Sequence, residues 1–251
     1  MPSTSRSLLT LSLLCVTMAP VHAMTLNDHF DLSLSAEVVS DYRSRGQSQT
    51  LGDPALQASA TLSHSSGLYA GIWTSNVDFG FDVKTRQEID YYAGYFWQIE
   101  DGISLDVGYA KYAYEKSGGL NYSEVYAIFS AYGVKLGHQY SDNFGTGQED
   151  SYSWTYLGYE TSLPMDSSLS LRYGQVDYKD DVLVSSSGKA RSRYNEWEAR
   201  ISKELLNLKW SLAYIDTDRV SDRAGSEHDW RITPCSVLPS ASLNSIGIPN
   251  S

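Results

Sequence analysis

The chain is poor in cysteine and proline, and beyond its first residues it has no long apolar run. It contains 2 cysteines and 7 prolines among 251 residues. Cys15 lies in a segment that we expect to be cleaved, so only Cys235 remains and an intramolecular disulfide is excluded. A membrane-spanning helix needs about 20 consecutive apolar residues, and the sequence after residue 23 offers none. The fold therefore depends on backbone pairing and packing without covalent cross-links.

Positive charge is also scarce. The chain has 19 Lys and Arg against 30 Asp and Glu, which gives a net charge of -11. An acidic balance of this size argues against nucleic acid as a partner. The sequence contains no GxGxxG, P-loop or CxxC motif, so it predicts no nucleotide, no structural zinc and no other cofactor or metal.

Residues 1–23 have the features of an export signal. Arg6 is their one charged residue, residues 8–19 are largely apolar, and Val21-His22-Ala23 places small residues at a cleavage position. The apolar stretch is about a dozen residues long, too short to span a bilayer as a helix. We expect a signal peptide over 1–23, a mature chain that begins near Met24, and export from the cytoplasm.

Period-two alternation of apolar and polar residues recurs along the mature sequence. In the first segment Phe30, Leu32 and Leu34 alternate with Asp31, Ser33 and Ser35, so one face of a strand would be apolar and the other polar. Eleven segments of this kind are present, at 30–40, 54–64, 67–78, 88–100, 102–113, 121–131, 133–141, 151–162, 168–178, 193–204 and 207–217. They predict an all-β fold, an antiparallel up-and-down transmembrane β-barrel of about 12 strands.

Short and long connections alternate between these segments. The short ones, such as Glu100-Asp101-Gly102, carry hairpin chemistry. The long polar ones are 41–53, 80–87, 115–120, 142–150, 179–192 and 218–229. Bacterial outer-membrane barrels have short periplasmic turns and long external loops, so the pattern predicts the bacterial outer membrane with a periplasmic N-terminus.

The alternation does not say which face points inward. Aromatic residues near the ends of apolar faces, such as Trp97, Tyr109, Trp210 and Tyr214, fit the aromatic girdle of a membrane barrel. The alternative is a soluble periplasmic β-sandwich or lipocalin-like barrel with tyrosines in its core. Lys111 and His138 also fall on apolar faces. If Trp210 faces lipid near mid-membrane, its replacement by arginine should cost about 2 to 4 kcal/mol.

Four runs of residues resemble the TorF family of porins. They are VSDYRSRGQSQT at 39–50, PALQ at 54–57, GIWTSNVD at 71–78 and EIDYYAGY at 88–95. The Tyr-Arg-x-Arg-Gly core of the first run is the most specific part, and the resemblance extends to about Asp218. It implies a small proteobacterial outer-membrane barrel with channel activity, without naming a solute.

The C-terminal part departs from the barrel pattern. Pro234 and Pro239 interrupt the segment that should be the closing strand, and proline cannot donate a ladder hydrogen bond. We therefore expect the barrel to occupy 24–238, an irregular tail to occupy 239–251, and the sequence after about Gly225 to be an altered terminus.

The inward faces of the predicted strands carry more acidic than basic residues. The expected pore-lining set is Asp31, Glu37, Glu88, Asp90, Asp106, Glu124, Lys135, Arg172, Glu196, Glu198 and Arg200. An acidic lining favours cations, which predicts a channel for small hydrophilic solutes. A barrel of this size can also be filled by its own side chains, so a plugged barrel that serves as a receptor, adhesin or enzyme stays open.

Two further sets of residues invite functional hypotheses. Arg43 and Arg45, on the first long loop, could bind an anionic solute or lipopolysaccharide phosphate, or could form ion pairs within the loop. Asp142, His138 and a serine could form a hydrolase triad. The histidines are scattered along the sequence, so we predict that the chain is not an enzyme. We expect outer-membrane lipid, lipopolysaccharide and small solutes to be its partners.

Overall fold

The computed structural model describes residues 19–80, 83–145, 150–181, 183–184, 190–218 and 229–231. Residues 1–18 of the predicted signal peptide lie outside the described residues, as does the predicted tail at 239–251. Among the helices of the described residues, none is long and apolar enough to cross a membrane, a finding that concerns helices alone.

All eleven predicted segments are strands of one antiparallel sheet. Their bounds are β2 Phe30–Val39, β5 Ala55–His64, β6 Leu68–Asn76, β7 Gln87–Glu100, β8 Ile103–Tyr114, β9 Tyr122–Ala131, β10 Val134–Phe144, β11 Asp150–Leu163, β12 Ser167–Tyr178, β15 Arg193–Leu205 and β16 Leu208–Thr217. Each pairs with the long strands before and after it in the sequence. The predicted all-β up-and-down fold is confirmed.

Shorter elements complete the described chain. Two additional strands, β1 Ala19–Asn27 and β17 Asp229–Arg231, lie at the two ends of the sheet and bring it to thirteen strands. Two small hairpins lie in long loops, and a short 3-10 helix lies in a third. These elements are β3 Arg43–Ser44 with β4 Gln47–Ser48, β13 Leu183–Val184 with β14 Ala190–Arg191, and the helix Gly118–Leu120.

The short connections are tight turns that need left-handed backbone. Leu206 and Asn207 both have positive φ, at 57° and 58°, which is the two-residue hairpin geometry that matches strand twist. Tyr132 and Gly133 repeat it, with φ of 49° and 86°. These turns lie on one rim, and the long loops lie on the other. The rim arrangement predicted from the sequence is therefore observed.

The apolar face of each strand points outward. Leu157 is 57% exposed, whereas Glu196, on the opposite face of the sheet, is fully buried. The same contrast runs around the barrel, with exposed Leu, Val, Ile, Tyr and Trp outside and polar and tyrosine side chains inside. The alternative of a soluble barrel is right that tyrosines lie in the interior, but it is wrong about the outer face, which is aliphatic and aromatic rather than polar. Exposed apolar surface this continuous marks a membrane-facing or other interaction surface.

The two ends of the sheet meet beside β16. Strand β1 pairs with β2 along its length and also lies against β16, while β17 pairs only with Ala213–Ile215 of β16. The position between β2 and β16 is where a C-terminal strand would close a barrel of even strand number. Sequence alternation did not predict β1, whose first residues belong to the predicted signal peptide. An open edge of β2 offers unpaired backbone groups, and β1 satisfies them.

Trp210 lies at the rim rather than in the middle of the membrane. It follows the turn at Leu206–Asn207 by three residues, and its indole N–H donates to the carbonyl oxygen of Leu205 at 3.3 Å. The condition for the large cost of an arginine at Trp210 is therefore not met. Arginine near an interface costs about 0 to 1 kcal/mol, so a deeper residue is the better test of lipid exposure.

Candidate functional site

The first long loop, residues 40–54, folds into the barrel instead of projecting from it. It connects β2 to β5 and contains the β3–β4 hairpin. Asp41 and Thr50 are each 1% exposed, and Arg43 is 8% exposed. We call residues 40–54 the inward loop.

A carboxylate holds the inward loop together from within. Asp41 accepts hydrogen bonds from Arg43 Nε at 2.6 Å, Ser48 Oγ at 2.5 Å and Thr50 Oγ1 at 3.1 Å. Arg43 Nη1 also donates to the carbonyl oxygen of Gly46 at 3.0 Å. Charge-assisted bonds of this kind fix a loop more firmly than neutral ones. Arg43 is thus an internal brace of the hairpin, as the ion-pair alternative proposed.

Gly46 brings the tip of the inward loop against the barrel wall. Its φ is +79°, and a Cβ atom built there would lie 3.1 Å from the Cβ of Glu196 and would overlap Thr217 Cγ2. Both conditions favour glycine, which tolerates positive φ and close backbone approach. The Arg-Gly pair in the sequence therefore positions the tip against β15 and β16.

Arg45 extends from the tip of the inward loop to the part of the wall formed by β9, β10 and β11. Its Nη2 donates to Glu124 Oε1 and to Gln139 Oε1, each at 2.6 Å. The guanidinium carbon also lies 5.1 Å from the ring centroid of Tyr152 and 5.2 Å from that of Trp154, within cation–π range. We call the four wall residues the guanidinium cage.

The contact between Arg45 and the guanidinium cage crosses the lumen. The sheet order from β2 is β2, β5, β6, β7, β8, β9, β10, β11, β12, β15 and β16, and β1, which pairs with β2 and also lies against β16, is the twelfth long strand of the ring. Strand β10, which carries Gln139, is the seventh and so lies halfway around from β2. The inward loop leaves β2 and is anchored on the opposite wall. It therefore forms a strap across the half of the barrel that faces the long loops.

The charge of Arg45 is stabilised despite its burial. Burial by itself lowers the pKa of the guanidinium, but the carboxylate of Glu124 outweighs that effect and holds the pKa well above its usual range. Arg43 and Arg45, the two candidates for anion binding, are already paired with carboxylates inside the barrel. Their side chains are 5% and 9% exposed. Neither guanidinium is presented to lipopolysaccharide at the outer surface.

Further contacts attach the strap on both sides of Arg45. The Tyr194 hydroxyl donates to the carbonyl oxygen of Arg45 at 3.1 Å, and Gln47 Nε2 donates to the same hydroxyl at 2.5 Å. Near the start of the loop, the rings of Tyr42 and Trp73 lie 5.3 Å apart. Burial, reinforced by nearby carboxylates, raises the pKa of Tyr42 well above its usual value, so this phenol stays neutral.

The structure places every predicted pore-lining residue on an inward face. Those on the wall formed by β12 and β15 are paired: Arg172 Nε lies 3.0 Å from Glu196 and its Nη2 lies 2.9 Å from Glu198. Arg200 lies 2.7 Å from Glu198. Nearer the short-turn rim, Lys135 lies 2.8 Å from Glu160. The remaining members are Asp31 and Glu37 on β2, Glu88 and Asp90 on β7, Asp106 on β8 and Glu124 on β9.

The wall opposite β15 carries acidic residues in excess. Of Glu88, Asp90 and Asp106, none takes part in an ion pair formed within the described residues. All three are buried. Hydroxyl groups are their neighbours, as in the 2.5 Å bond from Tyr69 to Asp106. The interior therefore has paired charges on one side and acidic side chains outside ion pairs on the other.

Four glycines on inward faces make room for tyrosine rings, an arrangement that was not predicted from the sequence. Gly94 lies directly opposite Tyr69 of the adjacent strand, and Gly108 lies opposite Tyr126 in the same way. The pairs Gly71–Tyr92 and Gly137–Tyr156 repeat the arrangement. Each ring covers the glycine of the neighbouring strand, an arrangement that also protects the backbone. Glycine on a polar face, opposite an inward tyrosine, is the signal that could have revealed it.

Replacing Gly94 with alanine should destabilise the barrel. The added Cβ would lie 2.5 Å from Tyr69 Cζ and 2.7 Å from the carbonyl oxygen of Val107. One of these is backbone, so the conflict cannot be relieved by a rotamer change, and overpacking of this kind costs about 1 to 3 kcal/mol. Urea unfolding in lipid vesicles measures the cost. Gly119→Ala is the control, since nothing lies within 4 Å of its Cβ position, and equal midpoints for the two variants would contradict the prediction.

A chamber opens above the strap, on the side of the long loops. Its volume is about 270 Å³, and Arg45 lines it together with aromatic side chains. The rings belong to Phe79, Tyr114, Tyr122, Phe144, Tyr152 and Tyr178. Ser44, Arg45, Gln47 and Gln49 of the strap form one of the walls of the chamber. We call this space the outer chamber.

The described residues do not support the hydrolase hypothesis. His138 Nδ1 lies 2.8 Å from Thr155 Oγ1, on the outward face of the sheet. Ser141 is buried on the inward face, and Asp142 is exposed. In the described part of the chain, no group of three or more His, Cys, Asp or Glu is arranged to hold a metal ion.

A family model of bacterial proteins of unknown function, Gcw_chp, matches residues 24–229. The chain belongs to the Gcw_chp family. The match begins at the predicted mature N-terminus and ends at the start of β17, so it covers the strap and the guanidinium cage. No functionally curated protein shows significant sequence similarity.

Solved structures similar to this Gcw_chp member include three proteins of Pseudomonas aeruginosa. OccD3 (OpdP) is 9% identical, with a TM-score of 0.41, over 81% of this chain and 63% of that one. OprD is 10% identical, with a TM-score of 0.38, over 84% and 65%. OccK7 (OpdD) is 16% identical, with a TM-score of 0.35, over 84% and 63%. The chain thus spans less than two thirds of their length.

Proposed function

We propose that the chain is an outer-membrane channel for small hydrophilic solutes, and that the inward loop is its constriction. The observation that carries this proposal is the ion pair of Arg45 with Glu124, which ties the loop to the wall opposite its origin at 2.6 Å. A strap across a lumen lined by polar and aromatic groups would set the size and charge limits of a passage.

The membrane location is supported by the outward face. Leucine, valine, isoleucine and aromatic side chains stand exposed on every long strand, and a barrel satisfies all its backbone groups without water. The predicted signal peptide at 1–23 would supply the export route. The resemblance of residues 39–50 to the TorF family points the same way. Those residues form most of the strap.

Small cations are the favoured solutes. The acidic wall of Glu88, Asp90 and Asp106 is not offset by a basic wall, because Arg172 and Arg200 are paired with Glu196 and Glu198. Where these carboxylates are ionised and meet the water of the lumen, they concentrate cations and repel anions.

Two measurements test the proposal. The mature protein should fractionate with the outer membrane and should change its mobility in detergent gels on heating. In planar bilayers it should give small conductance steps whose reversal potential in a KCl gradient indicates K⁺ preference. A folded protein that gives no steps, in wild type and in strap variants alike, would favour the plugged alternative, which the outer chamber supports as a site for a small ligand.

Neutralising the acidic wall should weaken the cation preference. In Glu88→Gln/Asp90→Asn the reversal potential should shift towards zero, because two inward carboxylates are replaced by amides of the same shape. Glu115→Gln is the control, since Glu115 is 58% exposed and lies beside Lys116 outside the lumen. An unchanged reversal potential in the double variant would mean that these carboxylates do not face the conducting path.

A further inference from the structure

The Arg45 side chain fills the guanidinium cage while it remains covalently attached to the inward loop. Its contacts are those of a bound ligand: a carboxylate and an amide oxygen at 2.6 Å, with two aromatic rings at 5.1 and 5.2 Å. The cage residues come from three consecutive strands, Glu124 from β9, Gln139 from β10, and Tyr152 with Trp154 from β11. The inward loop contributes none of them. The cage is therefore a feature of the barrel wall, independent of the loop.

Arg45 leaves part of the hydrogen-bonding capacity of the cage unused. Within the described residues, Arg45 Nε has no hydrogen-bond partner although it is buried, and the same is true of the Tyr152 hydroxyl and the Trp154 indole N–H. A buried polar group without a partner is costly. The hydroxyl of Tyr152 can accept a hydrogen bond that the tethered guanidinium does not provide. A free guanidinium, which is not held by a side chain, can take an orientation that uses it.

The outer chamber lies against one side of the cage. Arg45 and Tyr152 both line the outer chamber of about 270 Å³, whose other walls are largely aromatic. Aromatic faces attract organic cations, and the planar guanidinium combines ring stacking with paired hydrogen bonds. A small cation that enters the chamber would meet the rings and then Arg45, whose guanidinium stands between the chamber and the carboxylate of Glu124.

We infer that the guanidinium cage is a binding site for the guanidinium group of a small organic cation, and that Arg45 is its tethered occupant. This inference rests on the proposed channel function and names the class of solute. While Arg45 fills the cage, the strap is closed. When the strap withdraws, the same carboxylate, amide and rings are offered to a solute in the lumen.

Chemical replacement of the missing side chain tests the inference. In Arg45→Ala, methylguanidinium should bind in the vacated cage and lower the single-channel conductance severalfold. Methylurea has the same shape without the charge and should have little effect. Wild type should be insensitive at the same concentration, because a tethered group competes at high effective concentration. Arg45→Ala/Glu124→Gln keeps the space but lacks the carboxylate, so it should not respond.

The outcomes separate the site from the channel. If Arg45→Ala conducts but methylguanidinium does no more than methylurea, the cage is not a guanidinium site, and the channel proposal stands. If the folded variant does not conduct, the channel proposal fails. The guanidinium site is then tested by thermal unfolding of Arg45→Ala in detergent, where methylguanidinium should raise the unfolding midpoint and methylurea should not. Should Arg45→Ala not fold, methylguanidinium during refolding should restore the heat-modifiable form. Failure to do so in preference to methylurea would overturn the inference.

Discussion

Channels that carry Arg45→Ala should conduct severalfold more current than wild type, and their free energy of unfolding should fall by about 3 to 5 kcal/mol. Both effects have one cause. The side chain that ties the strap to the far wall is lost, and Glu124, whose side chain is 0% exposed, is left as a buried carboxylate without its cation. Planar-bilayer recording and urea unfolding in vesicles measure the two effects.

A second substitution separates the two effects. Glu124→Gln in the Arg45→Ala background removes the unpaired charge, so much of the lost stability should return while the strap stays detached and the conductance stays high. Conductance that returned to the wild-type level together with stability would contradict the role of Arg45 as the tether. The Tyr112 hydroxyl, which donates to Glu124 Oε2 at 2.9 Å, can donate equally to the amide oxygen.

Arginine at Leu157 should destabilise the barrel by about 2 to 4 kcal/mol. Leu157 is 57% exposed on the outward face of β11 and lies six residues from the end of the strand at Leu163. At about 3.3 Å per residue and a tilt of about 40°, that is roughly 15 Å above the rim. A guanidinium at this depth must leave water or distort the bilayer.

The matched control is the same substitution at the rim. Leu205 ends β15 beside a short turn and is 55% exposed, so Leu205→Arg should cost about 0 to 1 kcal/mol. Urea unfolding of both variants in vesicles gives the comparison. Equal costs at the two depths would argue against a bilayer around this barrel. In detergent-free buffer the wild-type protein should not remain a soluble monomer.

The strands were predictable because their signal is local. Alternation assigned eleven strands to within a few residues of their observed ends, and Gly, Asp and Asn between them marked most of the tight turns. The direction of the faces was less certain from sequence, since the same alternation suits a soluble barrel. Aromatic residues near strand ends favoured the correct choice, and the exposed leucines of the structure confirm it.

The strap was not predictable in the same way. Its residues do not alternate, and both arginines looked like exposed loop residues open to an anion. In the structure Arg45 pairs with Glu124 and Gln139, which are 79 and 94 positions away in the sequence. Trp210 shows the same limit, since its alternation was right but its depth in the membrane followed from the position of a turn.

By itself the sequence determined which residues form strands, which side of each strand is apolar, and where the chain turns, because each depends on neighbours one or two positions away. Only the tertiary structure decided that the first long loop enters the lumen and that Arg45 meets a cage on the opposite wall. Closing a sheet into a barrel brings together residues that are distant in sequence, and the pairing of charges across a lumen is fixed by that closure and not by local periodicity.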